Sequence, residues 1–537
     1  MRDPTEGHCF MRPDPRNLHE LLTEAGLPAP QGAAELTVSG LSTDSRHVCA
    51  GELFIAISGL HTDARTHIPE AIRRGAAAVV CEPLEGEAPS VCTVEVPSAR
   101  RAAACLYDAW YGHPSKRLRL VGVTGTNGKT SVSTMLHRIL RASRIPCGLI
   151  GTVGCVSTSG EPIEGVEGRP YSGMTTPDPA ELYALLARMA ADAPASPHPP
   201  TVVMEVTSHA LLLGRVAPLT FALSVFTNLS AEHMDMHGSM EDYYIAKRRL
   251  FGVSREAVVN ADDRYGRRLL AEPLPIHHYH ICHADPMQSL PPDRMCPAGE
   301  GGCTRLYAED AREMGEDGVS FKLTSPDVRL RLKCPVPGSF TVMNALEAAS
   351  AALALGASPA AVRDALAHFA GVPGRMERVP LPTTAQPFSV FIDFAHTPDA
   401  LENLLCSVHR FRKRGQRIVL VFGCGGDRDR TKRKVMARIA SRMADSLVIT
   451  SDNSRTEDPA AIIADILAGV DKESEFAVVP NRADAIRYAV RHARAGDIIL
   501  LAGKGHETYE IDREGKHPFC EKDIAIAAAK EFHGEER

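Results

Sequence analysis

Apolar and polar positions along this chain switch repeatedly between a strand period and a helix period. The clearest switch lies between Leu118 and Leu140, LRLVGVTGTNGKTSVSTMLHRIL. Leu118 to Val123 is an apolar run that predicts a buried strand. Val132, Met135, Leu136, Ile139 and Leu140 fall on one face of a helix. Between them lies Thr124-Gly125-Thr126-Asn127-Gly128-Lys129-Thr130, a glycine loop in the strand-to-helix context that a phosphate-binding loop needs. Glycines let backbone N–H groups approach phosphate oxygens, and the helix N-terminus adds partial positive charge. Lys129 can reach the β and γ phosphates, and the Thr130 hydroxyl can ligate Mg²⁺. Val123 stands where the general pattern has glycine, so a plain glycine turn is the competing reading.

The same pattern divides the chain into three regions. Up to residue 117, Asn17 to Ala25 predicts a short helix, Gly51 to Ile57 a strand, Ile68 to Gly75 a helix and AAAVVCE a second strand. From 118 to 371, apolar strands again alternate with helices. Thr201 to Val206 predicts a buried strand carrying one acid, Glu205, which wants a cation: a metal ion or a structural salt bridge. The strand Ala222 to Phe226 runs into TNLSAEHMDMHG, a polar cluster with His233 where open α/β sheets place ligands; metal ligands and solvated loop residues are both open readings. Tyr243 to Phe251 predicts a helix containing Lys247, and Val258 to Asn260 a strand ending in Asp262-Asp263. Residues 270 to 335 read as irregular, and Asn344 to Leu355 as an alanine-rich helix. From 372 to 537, strands at Val390–Asp393, Ile418–Phe422, Leu447–Thr450, Ala477–Val479 and Ile498–Leu501 predict a Rossmann-like doubly wound sheet. Polar residues follow four of these strands, at DFAH, GCGGDR, SDNSR and GKGHE. The fold class is α/β with three domains.

The 537 residues carry 60 Lys and Arg against 66 Asp and Glu, a net charge of −6, which argues against a broad nucleic-acid surface. No apolar run has the length of a membrane span, and the polar, proline-bearing N-terminus lacks the apolar core of a secretory signal. The fourteen cysteines form no C-x-x-C and fit buried reduced thiols of a cytoplasmic protein. Cys282, His283, Cys296 and Cys303 match no standard zinc spacing.

Many motifs in register resemble one family. GVTGTNGKT, EVTSHAL, FTNLSAEHMDMHG, the lysine of IAKRRLF, NADD, DFAHTPD and FGCGGDRDR stand in the order of the Mur ligases, ATP-dependent amide-bond-forming enzymes of peptidoglycan synthesis. GDRDRTKR, DNSR and AGKGHE together resemble the branch that adds a diamino acid to UDP-N-acetylmuramoyl-L-alanyl-D-glutamate.

The resemblance implies a UDP-sugar domain (1–117, with the N-terminal extension), an ATP-binding domain (118–371) and an amino-acid-binding domain (372–537). It implies ATP and Mg²⁺ as cofactors and small-molecule substrates: the UDP-sugar dipeptide and a diamino acid. Nucleic acid and membrane partners are not expected, and a cytoplasmic monomer is. By the match, Gly125, Thr126, Asn127, Gly128, Lys129, Thr130 and Ser131 hold ATP, with Asn344, Arg375, Asp393 and His396 approaching the nucleotide. Lys129, Glu205, His233 and Lys247 are catalytic. Thr130, Glu205 and His233 are metal ligands, joined by Lys247 if it is carbamylated. Thr43, Ser45, Leu60, His61, Thr62, Thr175, Thr176, Thr207 and Arg215 match UDP-sugar-peptide contacts. Arg428, Asp452, Asn453, Ser454, Arg455, Gly503 and Glu507 match amino-acid contacts.

Ser454 stands where the diaminopimelate-type motif has proline, but Arg455 is kept to meet a distal carboxylate. That favours meso-diaminopimelate over L-lysine or L-ornithine. The competing readings are a neighbouring ligase of the same family, folylpolyglutamate synthase, an ATP-binding regulatory protein without turnover, and a nucleic-acid motor, which the acidic balance and the lack of a basic or aromatic stripe disfavour.

Overall fold

Strands and helices alternate through most of the chain, as the hydrophobic pattern requires. The computed structural model describes residues 13–59, 63–84, 89–167, 169–230, 234–284, 302–381 and 388–534. Leu60, His61, Thr62 and His233 lie outside the described residues, as do the N-terminal extension up to residue 12 and Cys296. The chain divides into two compact units. One comprises Met1–His283, Met287–Leu306 and Glu347–Val362, and the other is chiefly Tyr307–Leu346 and Arg363–Arg537.

After the expected short helix, observed over Leu18–Glu24, the first unit carries a small parallel sheet in the order β1 (Leu41–Ser42), β2 (Leu53–Ile55), β3 (Ala78–Cys81) and β4 (Cys92–Glu95). Helix α1 (Ala99–Trp110) follows it. Next come β5 (Arg119–Thr124), α2 (Lys129–Ala142), β6 (Cys147–Gly151), β7 (Gly154–Val156), α3 (Pro179–Ala191), β8 (Thr201–Glu205), β9 (Phe221–Phe226), α4 (Met240–Arg248), β10 (Ser254–Asn260) and β11 (His278–His283). These strands lie side by side as β7-β6-β8-β5-β9-β10-β11. All pairs are parallel except β7 on β6. Both faces of such a sheet are covered, so β5, β6 and β8 are apolar almost throughout. One apolar cluster runs through Leu53 and Val80 of the small sheet, Leu106 and Trp110 of α1, Leu182 and Leu186 of α3, and Phe221 and Ile281 of the large sheet. The first two regions therefore share a core.

The expectation of irregular chain over residues 270 to 335 is corrected. This stretch contains β11 and then β12 (Gly302–Glu313), β13 (Val319–Thr324) and β14 (Arg329–Cys334). In the second unit β13 pairs antiparallel with β12 and β14. A half-solvated antiparallel strand alternates residue by residue, and β14 does so: Arg329, Arg331 and Lys333 are exposed, whereas Leu332 and Cys334 are buried. Helix α5 (Phe340–Ala354) follows.

The second unit carries the expected doubly wound sheet. Its strands are β15 (Glu377–Arg378), β16 (Ser389–Asp393), β17 (Ile418–Phe422), β18 (Ser446–Ile449), β19 (Phe476–Val478) and β20 (Ile498–Ala502), in the order β15-β16-β20-β17-β18-β19. All neighbours are parallel except β15 on β16. Helix α6 (Thr431–Met443) leaves the GCGGDRDR loop and α7 (Arg482–Arg491) follows β19. A hairpin, β21 (Tyr509–Asp512) with β22 (Gly515–Pro518), precedes the last helix α8 (Glu521–Gly534).

Candidate active site

Parallel register brings the first set of candidate residues together. Glu205 at the end of β8 stands beside Val123 of β5, and Phe226 of β9 stands beside Thr124. The polar residues after these strands therefore leave from one edge of the sheet, where α/β sheets bind ligands. Residues 125–128 form the loop, with Gly128 in the left-handed region at the N-cap of α2. Gly125 has φ +149°, and a Cβ there would sit 1.9 Å from Thr227 Oγ1, so only glycine fits. The end of β9 braces the loop: Asn127 N–H donates to Asn228 Oδ1 at 3.0 Å, and Thr227 Oγ1 donates to Asn127 O at 2.6 Å. Tyr243 of α4 bonds the Thr126 hydroxyl at 3.3 Å.

Two cations and one acid meet this loop. Lys129 Nζ folds back to donate to Gly125 O (3.0 Å) and Thr126 O (2.7 Å). Lys247, buried on α4, donates to the same Gly125 O at 2.8 Å and lies 4.7 Å from the Tyr243 ring centroid. Glu205 is buried; its Oε2 accepts from the Thr130 hydroxyl at 2.9 Å and its Oε1 from Thr152 N–H at 2.8 Å. A hydroxyl and a carboxylate side by side at the start of a phosphate-loop helix are hard oxygen donors, the type Mg²⁺ takes. The residues present fit that ion. Among the described residues no group of three or more His, Cys, Asp or Glu forms a metal cluster.

The residues expected to meet the sugar-peptide extend from the same edge. Thr152 Oγ1 and Thr175 Oγ1 lie 3.0 Å apart. Thr176 donates to the Glu205 carbonyl at 2.8 Å and to Thr207 Oγ1 at 3.3 Å. Arg215 donates to Thr176 O at 2.6 Å and pairs with Asp178 at 2.9 Å. On the small sheet, Thr43 and Ser45 follow β1, and the Ser45 hydroxyl donates to Glu70 Oε2 at 3.2 Å. Thr152 was not singled out in the sequence. Its signal is a polar residue just past an apolar strand, readable only once β6 is known to pair with β8.

In the second unit the expected residues again gather at strand ends. Asp393 ends β16 and accepts from Met376 N–H (2.8 Å) and Ala395 N–H (2.9 Å). Burial raises its carboxyl above the ordinary value, with Arg375 acting against that. The Arg375 guanidinium lies over the Phe394 ring at 4.8 Å, and the His396 carbonyl accepts from Lys432 at 2.9 Å. Arg455 has φ +51° and donates to Gly426 O at 2.8 Å and Asn453 O at 3.3 Å. Arg428 is exposed on the neighbouring loop. Asn453 Nδ2 donates to Glu507 Oε2 at 2.7 Å. Burial works to raise Asp452, but Arg482 and Lys504, together with the Asn453 N–H and His396, outweigh it and hold the carboxyl below its ordinary value. Burial raises Glu507, with Asn453 and Lys504 opposing. Asn344 sits buried on α5.

A phosphate loop at one parallel sheet edge, and a second sheet edge lined with acids and guanidiniums, define a multidomain α/β protein that handles a nucleotide and a charged second substrate. The Mur ligase family catalytic domain matches residues 37–111, the Mur ligase middle domain residues 123–352, and the Mur ligase glutamate ligase domain residues 374–505. The chain belongs to the Mur ligase family.

It is 41% identical over 515 residues to the UDP-N-acetylmuramoyl-L-alanyl-D-glutamate--2,6-diaminopimelate ligase of Gloeobacter violaceus, covering 95% of this chain and 97% of that one. It is 39% identical over 509 residues to the protein of the same name from Geobacillus thermodenitrificans, covering 92% and 95%. A solved structure of a ligase so named superposes with a TM-score of 0.62 at 29% identity, covering 97% of this chain and 99% of that one. MurF from Acinetobacter baumannii shares the fold, with a TM-score of 0.56 at 16% identity and coverage of 92% and 96%.

Proposed function

We propose that this chain is an ATP-dependent ligase that joins meso-2,6-diaminopimelate to UDP-N-acetylmuramoyl-L-alanyl-D-glutamate in cytoplasmic peptidoglycan-precursor synthesis. The reading rests on one observation above all. The chain holds a phosphate loop whose Thr130 is bonded to a buried strand-end acid, Glu205, and its C-terminal sheet gathers Asp452, Asn453, Arg455 and Glu507. The names of relatives about as long as this chain support it.

The γ-carboxylate of D-glutamate takes the γ-phosphoryl group of ATP, ADP leaves, and an amine of the diamino acid displaces phosphate from the acyl phosphate. Negative charge builds on the transferring oxygens, so cations and positioning supply the catalysis. Lys129 and the loop N–H groups hold the β and γ phosphates. Thr130 and Glu205, with His233, hold Mg²⁺, which neutralises charge on those phosphates when bound. Thr43, Ser45 and the 60–62 turn take the uridine end; Thr175, Thr176, Thr207 and Arg215 take the sugar-peptide. Asp452 and Glu507 take an ammonium, and Arg428 and Arg455 take carboxylates. The assignments divide at residues 117 and 371. No helix among the described residues is long and apolar enough to cross a membrane.

The test is phosphate release from ATP with the UDP-sugar dipeptide, supplying meso-diaminopimelate, L-lysine or L-ornithine separately. Turnover with diaminopimelate alone is the expected result. Faster turnover with lysine or ornithine would keep the ligase but remove the role given to Arg455. No turnover with any of them would overturn the reading.

A further inference from the structure

Two fully buried cations of the second unit, Lys504 and Arg482, have no part in the chemistry above, yet both stand behind the amino-acid residues. Lys504 Nζ donates to Asn453 Oδ1 and to Tyr509 O, each at 2.9 Å. It lies 3.9 Å from both Asp452 Oδ1 and Glu507 Oε2. Asn453 Oδ1 also accepts from Ile511 N–H at 2.9 Å, while its Nδ2 is spent on Glu507. Arg482 begins α7. Its Nε donates to Glu521 Oε1 at 2.8 Å, and its other nitrogens reach Ala502 O at 2.9 Å and Ser451 O at 3.3 Å. It thereby ties the ends of β18 and β20 to α8, with Nη1 4.0 Å from Asp452 Oδ2. Gly503, at φ +120°, leaves room for this: a Cβ there would lie 2.8 Å from Asp452 Oδ2.

We propose that Lys504 and Arg482 are positioning residues for the diamino acid, holding Asp452, Asn453 and Glu507 in the orientation that receives its ammonium group. The inference rests on the ligase reading above. A buried ion network gains little stability over apolar packing of the same shape, because each charge loses its hydration. What this network supplies is orientation. The Asn453 amide is held at both ends, its Oδ1 accepting from Lys504 and from Ile511 N–H of the hairpin and its Nδ2 donating to Glu507, and Asp452 has one cation near each carboxylate oxygen. Lys504 also opposes the burial that raises Glu507 and helps hold Asp452 ionised. Other charged or titratable groups facing this network are Glu510 and Tyr509 of the hairpin, Glu521 of α8, Lys432 of α6, Cys424, Arg455 and His396.

The experiment compares wild type with Lys504→Met, Lys504→Arg and Arg482→Lys in the full chain. It measures kcat and the three substrate KM values from about pH 6 to about pH 9.5. Lys504→Met is expected to raise the KM for the diamino acid roughly 10- to 100-fold. Its KM values for ATP and the UDP-sugar dipeptide are expected to stay within about twofold. Without Lys504 both carboxyls titrate higher, so the acid limb of diamino-acid binding moves to higher pH, and Lys504→Arg returns it toward wild type. If Lys504→Met does not fold, Arg482→Lys decides: its diamino-acid KM is expected to rise and its acid limb to move to higher pH. Unchanged diamino-acid KM and pH profile in Lys504→Met, or in Arg482→Lys where Lys504→Met does not fold, with only a lower melting temperature, would overturn the proposal and leave the ligase reading standing. Wild type without diamino-acid-dependent phosphate release would overturn both.

Discussion

Lys129 and Lys247 donate to the same carbonyl oxygen, that of Gly125, at 3.0 and 2.8 Å. Residues 118 positions apart in the chain thus place two ammonium groups on one turn of the phosphate loop. Like charges that share an acceptor favour an anion beside them. ATP phosphates are one such anion. Carbamylation, in which the Lys247 amine adds CO₂ and releases a proton, is another means of removing the repulsion.

Lys247→Ala is therefore expected to lower kcat about 10²- to 10³-fold, the range for losing one preorganised donor aimed at developing negative charge. If Lys247 acts as a carbamate, formate or acetate will restore part of the lost rate in this variant and leave wild type unchanged. Equal response of both proteins to the added carboxylate would argue that Lys247 acts as an ammonium.

Glu205 receives the Thr130 hydroxyl and the Thr152 amide, so Glu205→Gln keeps its shape and loses its charge. The variant is expected to need roughly 10- to 100-fold more Mg²⁺ for half-maximal rate. Thr130→Ser keeps the hydroxyl and is expected to stay close to wild type. A Mg²⁺ titration measures both. An unchanged Mg²⁺ requirement in Glu205→Gln would show that the acid braces the loop without serving the ion.

Much of this site was legible in the sequence, because its residues sit where apolar periodicity stops. Lys129 and Thr130 open a helix behind a buried strand, and Glu205 is the single acid of an apolar strand. The Thr152 contact was not legible, since it depends on β6 lying next to β8, which is 50 residues on. Nor was the convergence of Lys129 and Lys247 on Gly125, a long-range event that no local pattern encodes. The strands between residues 270 and 335 were missed for a different reason. Proline- and glycine-rich chain stands between them in sequence, and GCTRLYAEDARE of β12 mixes polar and apolar residues with little period, although RLRLKC of β14 alternates cleanly enough to be read.

Arg455 tests the choice of amino acid. Its backbone is held at φ +51° by Ile511 O accepting its N–H at 3.1 Å, so the loop is anchored by the hairpin even with Ser454 in place of proline. Arg455→Met is expected to raise the KM for meso-diaminopimelate roughly 10- to 100-fold, the loss of a charge-assisted hydrogen bond worth about 1.5–3 kcal/mol. Its KM for L-lysine, which has no distal carboxylate, is expected to change little. Equal losses for the two amino acids would place Arg455 on the carboxylate they share.

Glu347 on α5 is fully buried, and neither carboxylate oxygen has a hydrogen-bond partner among the described residues. Burial, reinforced by Asp263 and Asp262, pushes its carboxyl well above the ordinary value of 4.5. The folded chain therefore keeps a proton that the unfolded chain releases as pH rises past that value. Its contribution is complete below the unfolded pKa and is lost as pH climbs toward the folded one. Glu347→Met removes the burden, so the variant is expected to be more stable than wild type by about 1–3 kcal/mol near neutral pH. The difference should shrink as pH falls toward about 4.5. Denaturant unfolding at about pH 5 and about pH 8 measures it. A variant less stable than wild type at both pH values would mean that the carboxyl has a polar partner, such as a buried water, whose loss outweighs the relief.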